Sequence, residues 1–105
     1  MADFSWLERT ELLLGEDQLG KLINSNVLVV GLGGVGSFAA EFVCRAGVGK
    51  MTIVDGDIVD NTNKNRQLPA LSSTVGLGKA EVMANRLMDI NPNLSLTVID
   101  KFQLP

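Results

Sequence analysis

Histidine is absent from the 105 residues. That removes the usual general base near neutral pH and the commonest metal ligand. Any chemistry falls to carboxylates, Lys, Arg, backbone N–H groups or a bound cofactor. A single cysteine, Cys44, excludes an internal disulfide and a cysteine-based zinc site, and no protein-held metal is expected. There is no cationic excess: 9 basic residues stand against 12 acidic ones, for a net charge of −3. A broad cationic face for nucleic acid is not expected in this segment, although a local patch remains open. The longest apolar run, Val27–Val30, is far too short to span a bilayer. The opening residues, Met-Ala-Asp-Phe-Ser-Trp, lack a basic region followed by an apolar core, so no leader is visible and the expected location is the cytoplasm. Internal repeats and low-complexity tracts are also missing. What remains is 46% hydrophobic and 20% charged, an ordinary globular composition for one domain at most.

Along the chain, Ser5-Trp6-Leu7-Glu8 reads as a capping box that opens a helix to about Leu14, with Gly15 ending it. A short helix is expected over 16–23, with Leu19, Leu22 and Ile23 on one face. Val27-Leu28-Val29-Val30 is continuously aliphatic, which suits a parallel strand buried on both faces. The glycine-rich segment 31–36 follows, then a helix over 37–46. Met51-Thr52-Ile53-Val54 reads as a second buried strand ending at Asp55. Residues 56–73 form a long polar loop. A helix over 76–91, stopped before Pro92, carries Ala80, Met83, Ala84, Leu87 and Ile90 on one face. Leu94–Val98 alternates as a half-exposed edge strand does. The fold class is therefore α/β, a Rossmann-like doubly wound parallel sheet. The chain supplies its N-terminal βαβαβ half, preceded by helices.

Gly31-Leu32-Gly33-Gly34-Val35-Gly36 contains G-x-G-x-x-G between a predicted strand and a predicted helix, the context in which the pattern carries meaning. Gly31 permits the tight turn, Gly33 lets backbone approach a phosphate, and Gly36 lets helix and strand pack closely. The helix start then offers free N–H groups and a positive dipole to an anion. Asp55 stands 19 residues after Gly36, at a strand end, where a carboxylate can accept from both ribose hydroxyls. Asp57 can orient the site or bind a metal, and equally can be a solvated turn residue. To this point NAD, FAD and ATP fit alike. Thr62-Asn63-Lys64-Asn65-Arg66-Gln67 lies in the 18-residue loop, and a loop that long in so small a chain is usually functional. A guanidinium over a nucleotide suits a polyphosphate better than a nicotinamide. Lys79, after Gly76-Leu77-Gly78, stands at a helix start, where the dipole disfavours a cation unless an anion is near. Cys44 is expected in the core, and Trp6 with Phe4 is expected to anchor the first helix.

These segments together resemble the ubiquitin-activating-type adenylation family, the ThiF/MoeB/HesA superfamily. It includes the molybdopterin-synthase and thiazole-synthesis sulfur-carrier adenylyltransferases. The residues that carry the resemblance are Arg9, the turn with its extra Gly34, Asp55-Gly56-Asp57, Asn63-Lys64-Asn65-Arg66-Gln67 and Gly78-Lys79-Ala80. Arg9–Gly15, Ala46-Gly47-Val48-Gly49 and Thr62–Gln67 are most similar to the family's tRNA threonylcarbamoyladenosine dehydratase branch.

The resemblance implies an ATP-dependent, adenylate-forming enzyme of ligase type that uses Mg2+. It places the phosphates over Gly31, Gly33, Gly34 and Gly36, and the ribose on Asp55 with Asp57 nearby. Asn63, Asn65, Arg66 and Lys79 fall at the triphosphate. Arg9, Arg66 and Lys79 would be the catalytic residues, with Arg9 reaching into the neighbouring site of a homodimer. The activated group would be the threonylcarbamoyl carboxylate on tRNA, which then cyclises with loss of water, or the end of a ubiquitin-like sulfur-carrier protein. The family continues past a third strand to a fourth strand and a metal-coordinating Asp. The expectation is thus that residues 1–105 are the nucleotide-binding half of an adenylation domain, inactive alone, with an open edge at the first strand that favours self-association. Two other readings stay open: the cofactor domain of an NAD-dependent dehydrogenase, and a non-enzymatic nucleotide-binding or dimerisation module.

Overall fold

The computed structural model describes residues 3–102. Its elements are α1 (Glu8–Leu14), α2 (Glu16–Ile23), β1 (Asn26–Val30), α3 (Gly34–Arg45), β2 (Lys50–Val54), α4 (Lys79–Ile90) and β3 (Ser95–Ile99). The strands form one parallel sheet in the order β1-β2-β3, in register Val27↔Met51↔Leu96 and Val29↔Ile53↔Val98. This is the expected βαβαβ half of a doubly wound fold. No helix among the described residues is long and apolar enough to cross a membrane.

Period-2 alternation decides which side chains make the core. Met51 and Ile53, with Val29 and Leu96 beside them, meet Ala40 and Cys44 of α3 and Ala80, Met83 and Leu87 of α4 in one cluster. Both crossover helices therefore lie on the same face, where α3 also packs against α4. They are tied by Glu41, whose carboxylate pairs with Arg45 one turn on and with Arg86 of α4. The Arg86 guanidinium, hydrogen-bonded to it, holds the Glu41 carboxyl below its ordinary range. Cys44 is buried as expected, with its Sγ 3.5 Å from the Leu87 carbonyl oxygen. Desolvation pushes its thiol up to about 11.

The structure corrects four local expectations. β1 is not buried on both faces: its burial alternates, and Leu28 and Val30 stand open on the side away from the helices. The reason is that both crossovers cover one face, so Leu28 and Val30 on the other face have no cover among the described residues. The capping box at Ser5 and Glu8 does not form. Ser5–Leu7 is a 3-10 turn, α1 begins only at Glu8 with no side-chain cap, and the Ser5 N–H donates instead to Asp3 at 2.9 Å. α3 starts at Gly34, three residues earlier than expected, because the glycine turn itself supplies the first helical turn. α4 starts at Lys79 rather than Gly76, because residues 76–78 form an irregular connection with a bridge between Gly78 and Ile58.

Candidate nucleotide-binding site

The site is built where β1 and β2 end. Gly31 takes φ +87°, a conformation L side chains rarely adopt, and its N–H donates to the Val54 carbonyl at 2.7 Å. The next N–H, of Leu32, donates to Asp55 Oδ2 at 2.7 Å. The chain then enters α3 so closely that a Cβ at Gly36 would lie 1.8 Å from the Gly31 carbonyl oxygen, so no other residue fits there. α3 has Gly33 as its N-cap and no side-chain cap. Its first-turn amides and dipole are left to face whatever anion approaches.

Asp55 ties two neighbouring segments together. One oxygen holds the glycine turn through Leu32, and the other accepts from the Asp57 N–H at 2.7 Å. Each carboxylate oxygen keeps a further lone pair. Asp55 lines a groove of about 260 Å³ with Val30, Gly31, Val54, Gly56, Lys101 and Phe102. This groove lies at the carboxyl ends of parallel strands, where open α/β sheets bind ligands. Lys101 and Phe102 were missed in the sequence reading. The signal was available, since they lie just past a third parallel strand, after Asp100.

Lys79 is buried at the start of α4, and the anion that offsets the dipole is on this chain. Its Nζ lies 3.3 Å from Asp57 Oδ2, and its backbone N–H donates to the Asp57 carbonyl at 3.0 Å. Asp57 therefore pairs with Lys79 while its own carboxylate stays half exposed.

The polar loop is more ordered than its composition implies. Asp60 caps a 3-10 turn over Asn61–Asn63: it accepts from the Thr62 N–H at 2.9 Å, while its own N–H donates to Asn63 Oδ1 at 2.9 Å. The hydrogen bonds from Thr62 hold the Asp60 carboxyl below its ordinary range. Buried Asn63 thus serves the turn, and its carbonyl accepts from the Arg66 and Gln67 N–H groups. Arg66 is exposed and folded back, with Nη1 donating to the Thr62 carbonyl at 3.2 Å and to Asn65 Oδ1 at 3.0 Å. The loop faces the glycine turn: a Cβ on Gly33 would meet the Gln67 side chain, and one on Gly34 would lie 3.9 Å from the Arg66 carbonyl. Arg9 is the one expected site residue placed elsewhere. It is exposed on α1, which packs on α2.

The residues present fit a nucleotide: an uncapped glycine-rich helix start, a carboxylate with spare lone pairs at the groove, and cations at the groove, in the polar loop and at the start of α4, namely Lys101, Arg66 and Lys79. Among the described residues no group of three or more acidic, Cys or His side chains could hold a metal ion by itself.

A parallel β-α-β-α-β half with this turn defines a nucleotide-binding α/β domain. The ThiF family model matches residues 7–103, and the chain belongs to that family. It is 48% identical over 104 residues to the tRNA threonylcarbamoyladenosine dehydratase of Escherichia coli K12, covering 96% of this chain and 39% of that protein. It is 52% identical over 94 residues to the Bacillus subtilis protein of the same name, covering 90% of this chain and 37% of that one. The crystal structure of the E. coli dehydratase in complex with ATP superposes with a TM-score of 0.90 at 47% identity, over 97% of this chain and 43% of that one. The chain thus spans about two fifths of the length of these relatives.

Proposed function

We propose that this chain is the nucleotide-binding half of an ATP-dependent adenylate-forming enzyme, and that the whole protein activates the threonylcarbamoyl carboxylate on tRNA for cyclisation in the cytoplasm. The observation that carries the reading is the uncapped start of α3, packed between Asp55 and the Asn63–Gln67 loop. It is supported by relatives named as tRNA threonylcarbamoyladenosine dehydratases and by the ATP complex of one of them.

ATP supplies an α-phosphorus open to attack by a carboxylate oxygen, with pyrophosphate as leaving group. The chain's own part is positioning and charge neutralisation, which needs no histidine. The first amides of α3 face the phosphates. Asp55 accepts from the ribose while holding the glycine turn in shape. Lys79 neutralises phosphate charge from its place beside Asp57. Arg66 swings from Thr62 and Asn65 to the phosphates, with Asn63 fixing the loop beneath it. Mg2+ bound with the triphosphate would offset part of its charge. Arg9 acts in the site of a second copy in a homodimer, which accounts for its distance from the glycine turn within one chain.

A second reading keeps the same chemistry with a sulfur-carrier protein as acceptor. It is favoured by 41% identity over 91 residues to the adenylyltransferase and sulfurtransferase UBA4 of Lodderomyces elongisporus, covering 80% of this chain and 20% of that protein. Calorimetric titration with ATP–Mg and with NAD tests the adenylation reading: ATP binds more tightly, and tighter binding of NAD would overturn it.

A further inference from the structure

We propose that Gln67 is a phosphate-binding residue of this site, its side-chain amide donating to a nucleotide phosphate oxygen over Gly33, and that the buried Ser37 hydroxyl positions it. The proposal rests on the nucleotide reading above and adds two residues that the motif does not assign. Ser37 is completely buried in the second turn of α3. Its Oγ donates to the Gly33 carbonyl at 2.5 Å and accepts from the Leu68 N–H at 3.4 Å. One hydroxyl therefore fastens the glycine turn to a loop 31 residues away in sequence.

Gln67 stands immediately before that fastening point. Its backbone is held on both sides, the N–H by the Asn63 carbonyl at 3.0 Å and the carbonyl by the Ala70 N–H at 3.1 Å. Its side chain supplies the only atoms within 4 Å of the place a Cβ on Gly33 would occupy, with Nε2 nearest at 3.6 Å. Its Oε1 is buried with no hydrogen-bond partner. A carboxamide is not drawn into such a position by its carbonyl, because an unpartnered buried acceptor is unfavourable. The backbone bonds fix where the side chain starts, and its amide nitrogen lies at the glycine turn. Gly33 has no side chain to block it, and the adjacent α3 amides favour an anion. Arg66, by contrast, is turned back on its own loop. Gln67 is a neutral donor, so it orients a phosphate without adding charge.

The test is calorimetric titration of the protein and its variants with ATP and with adenosine, which lacks phosphates. One neutral hydrogen bond corresponds to roughly a three- to tenfold change in affinity. Gln67→Leu weakens ATP by that factor and leaves adenosine unchanged. Gln67→Glu, which sets an anion against the phosphates, weakens ATP further, again without changing adenosine. Ser37→Ala weakens ATP less than Gln67→Leu does, and adds nothing in a Gln67→Leu background if it acts through Gln67. Circular dichroism melts confirm that each variant is folded. Unchanged ATP affinity in Gln67→Leu overturns the assignment, as does equal loss for ATP and adenosine. An additive loss from Ser37→Ala overturns its positioning role. If the unsubstituted protein binds neither ligand, the nucleotide reading itself falls, and this inference with it.

Discussion

On the face that carries α3 and α4, Met51, Ile53, Met83 and Leu87 are buried to 1% exposure or less, whereas on the opposite face of the same sheet Leu28 is 62% and Val30 53% exposed. The residue types on the two faces of β1 hardly differ: Val27 and Val29 face the helices, Leu28 and Val30 face away. Connectivity makes the difference. Two successive right-handed crossovers in the order β1-β2-β3 place both helices on one side. Aliphatic composition reports what a strand is prepared to bury, and topology decides what is covered. The groove lined by Asp55 lies at the border between the two regions. Its glycine turn leads into the covered side, and its floor is Val30 and Val54 on the other.

Substitutions at five positions probe this contrast, in order of falling effect. Leu87→Ala removes a fully buried side chain from the covered face and is expected to destabilise the fold by about 2–5 kcal/mol in urea denaturation. At the border, Asp55→Ala removes a charged acceptor and weakens ATP and adenosine alike by about 1–3 kcal/mol in titration, whereas Arg66→Ala weakens ATP far more than adenosine. Glu41→Gln loosens the α3–α4 tie by about 1 kcal/mol at neutral pH. Because the folded-state carboxyl is held below its ordinary value of 4.5, this stabilisation is complete above that pH. It is lost as pH falls through the lower folded-state value, so melting curves of the parent and Glu41→Gln proteins converge in acid. Leu28→Thr, on the bare face, changes stability by no more than about 0.5 kcal/mol. Its effect is instead on association. β1 has one sheet neighbour among the described residues, and an open apolar edge recruits strands. Sedimentation equilibrium should show self-association of the chain, weakened by Leu28→Lys. A clean 11.2 kDa monomer would break the argument.

Much of the border region was legible because its signals are local. Two short aliphatic runs bracket a glycine turn and end in Asp55, and each piece dictates its own backbone. The limits of α3 and α4 were less legible. Helix propensity argues against glycine at a helix start, but close approach between Gly36 and Gly31 requires it there. At the N-terminus a local signal misled, since Asp3 takes the N–H of Ser5. The partners of Lys79 and Ser37 lie 22 and 31 residues away, and no periodicity encodes such pairs. The role of Asn63 as the inner half of a cap was hidden behind its family reading as a ligand-binding residue.

The Cys44 thiol, seated against the Leu87 carbonyl and pushed up to about 11, makes the covered side its own clock. Alkylating reagents attack the thiolate, and a buried thiol with so high a pKa exposes almost none of it at neutral pH. Labelling must wait for α3 and α4 to separate. Since this is the only cysteine in the chain, the labelling rate counts those separations one molecule at a time. A ligand that bridges the glycine turn and the Asn63–Gln67 loop would slow the count without touching the sulfur.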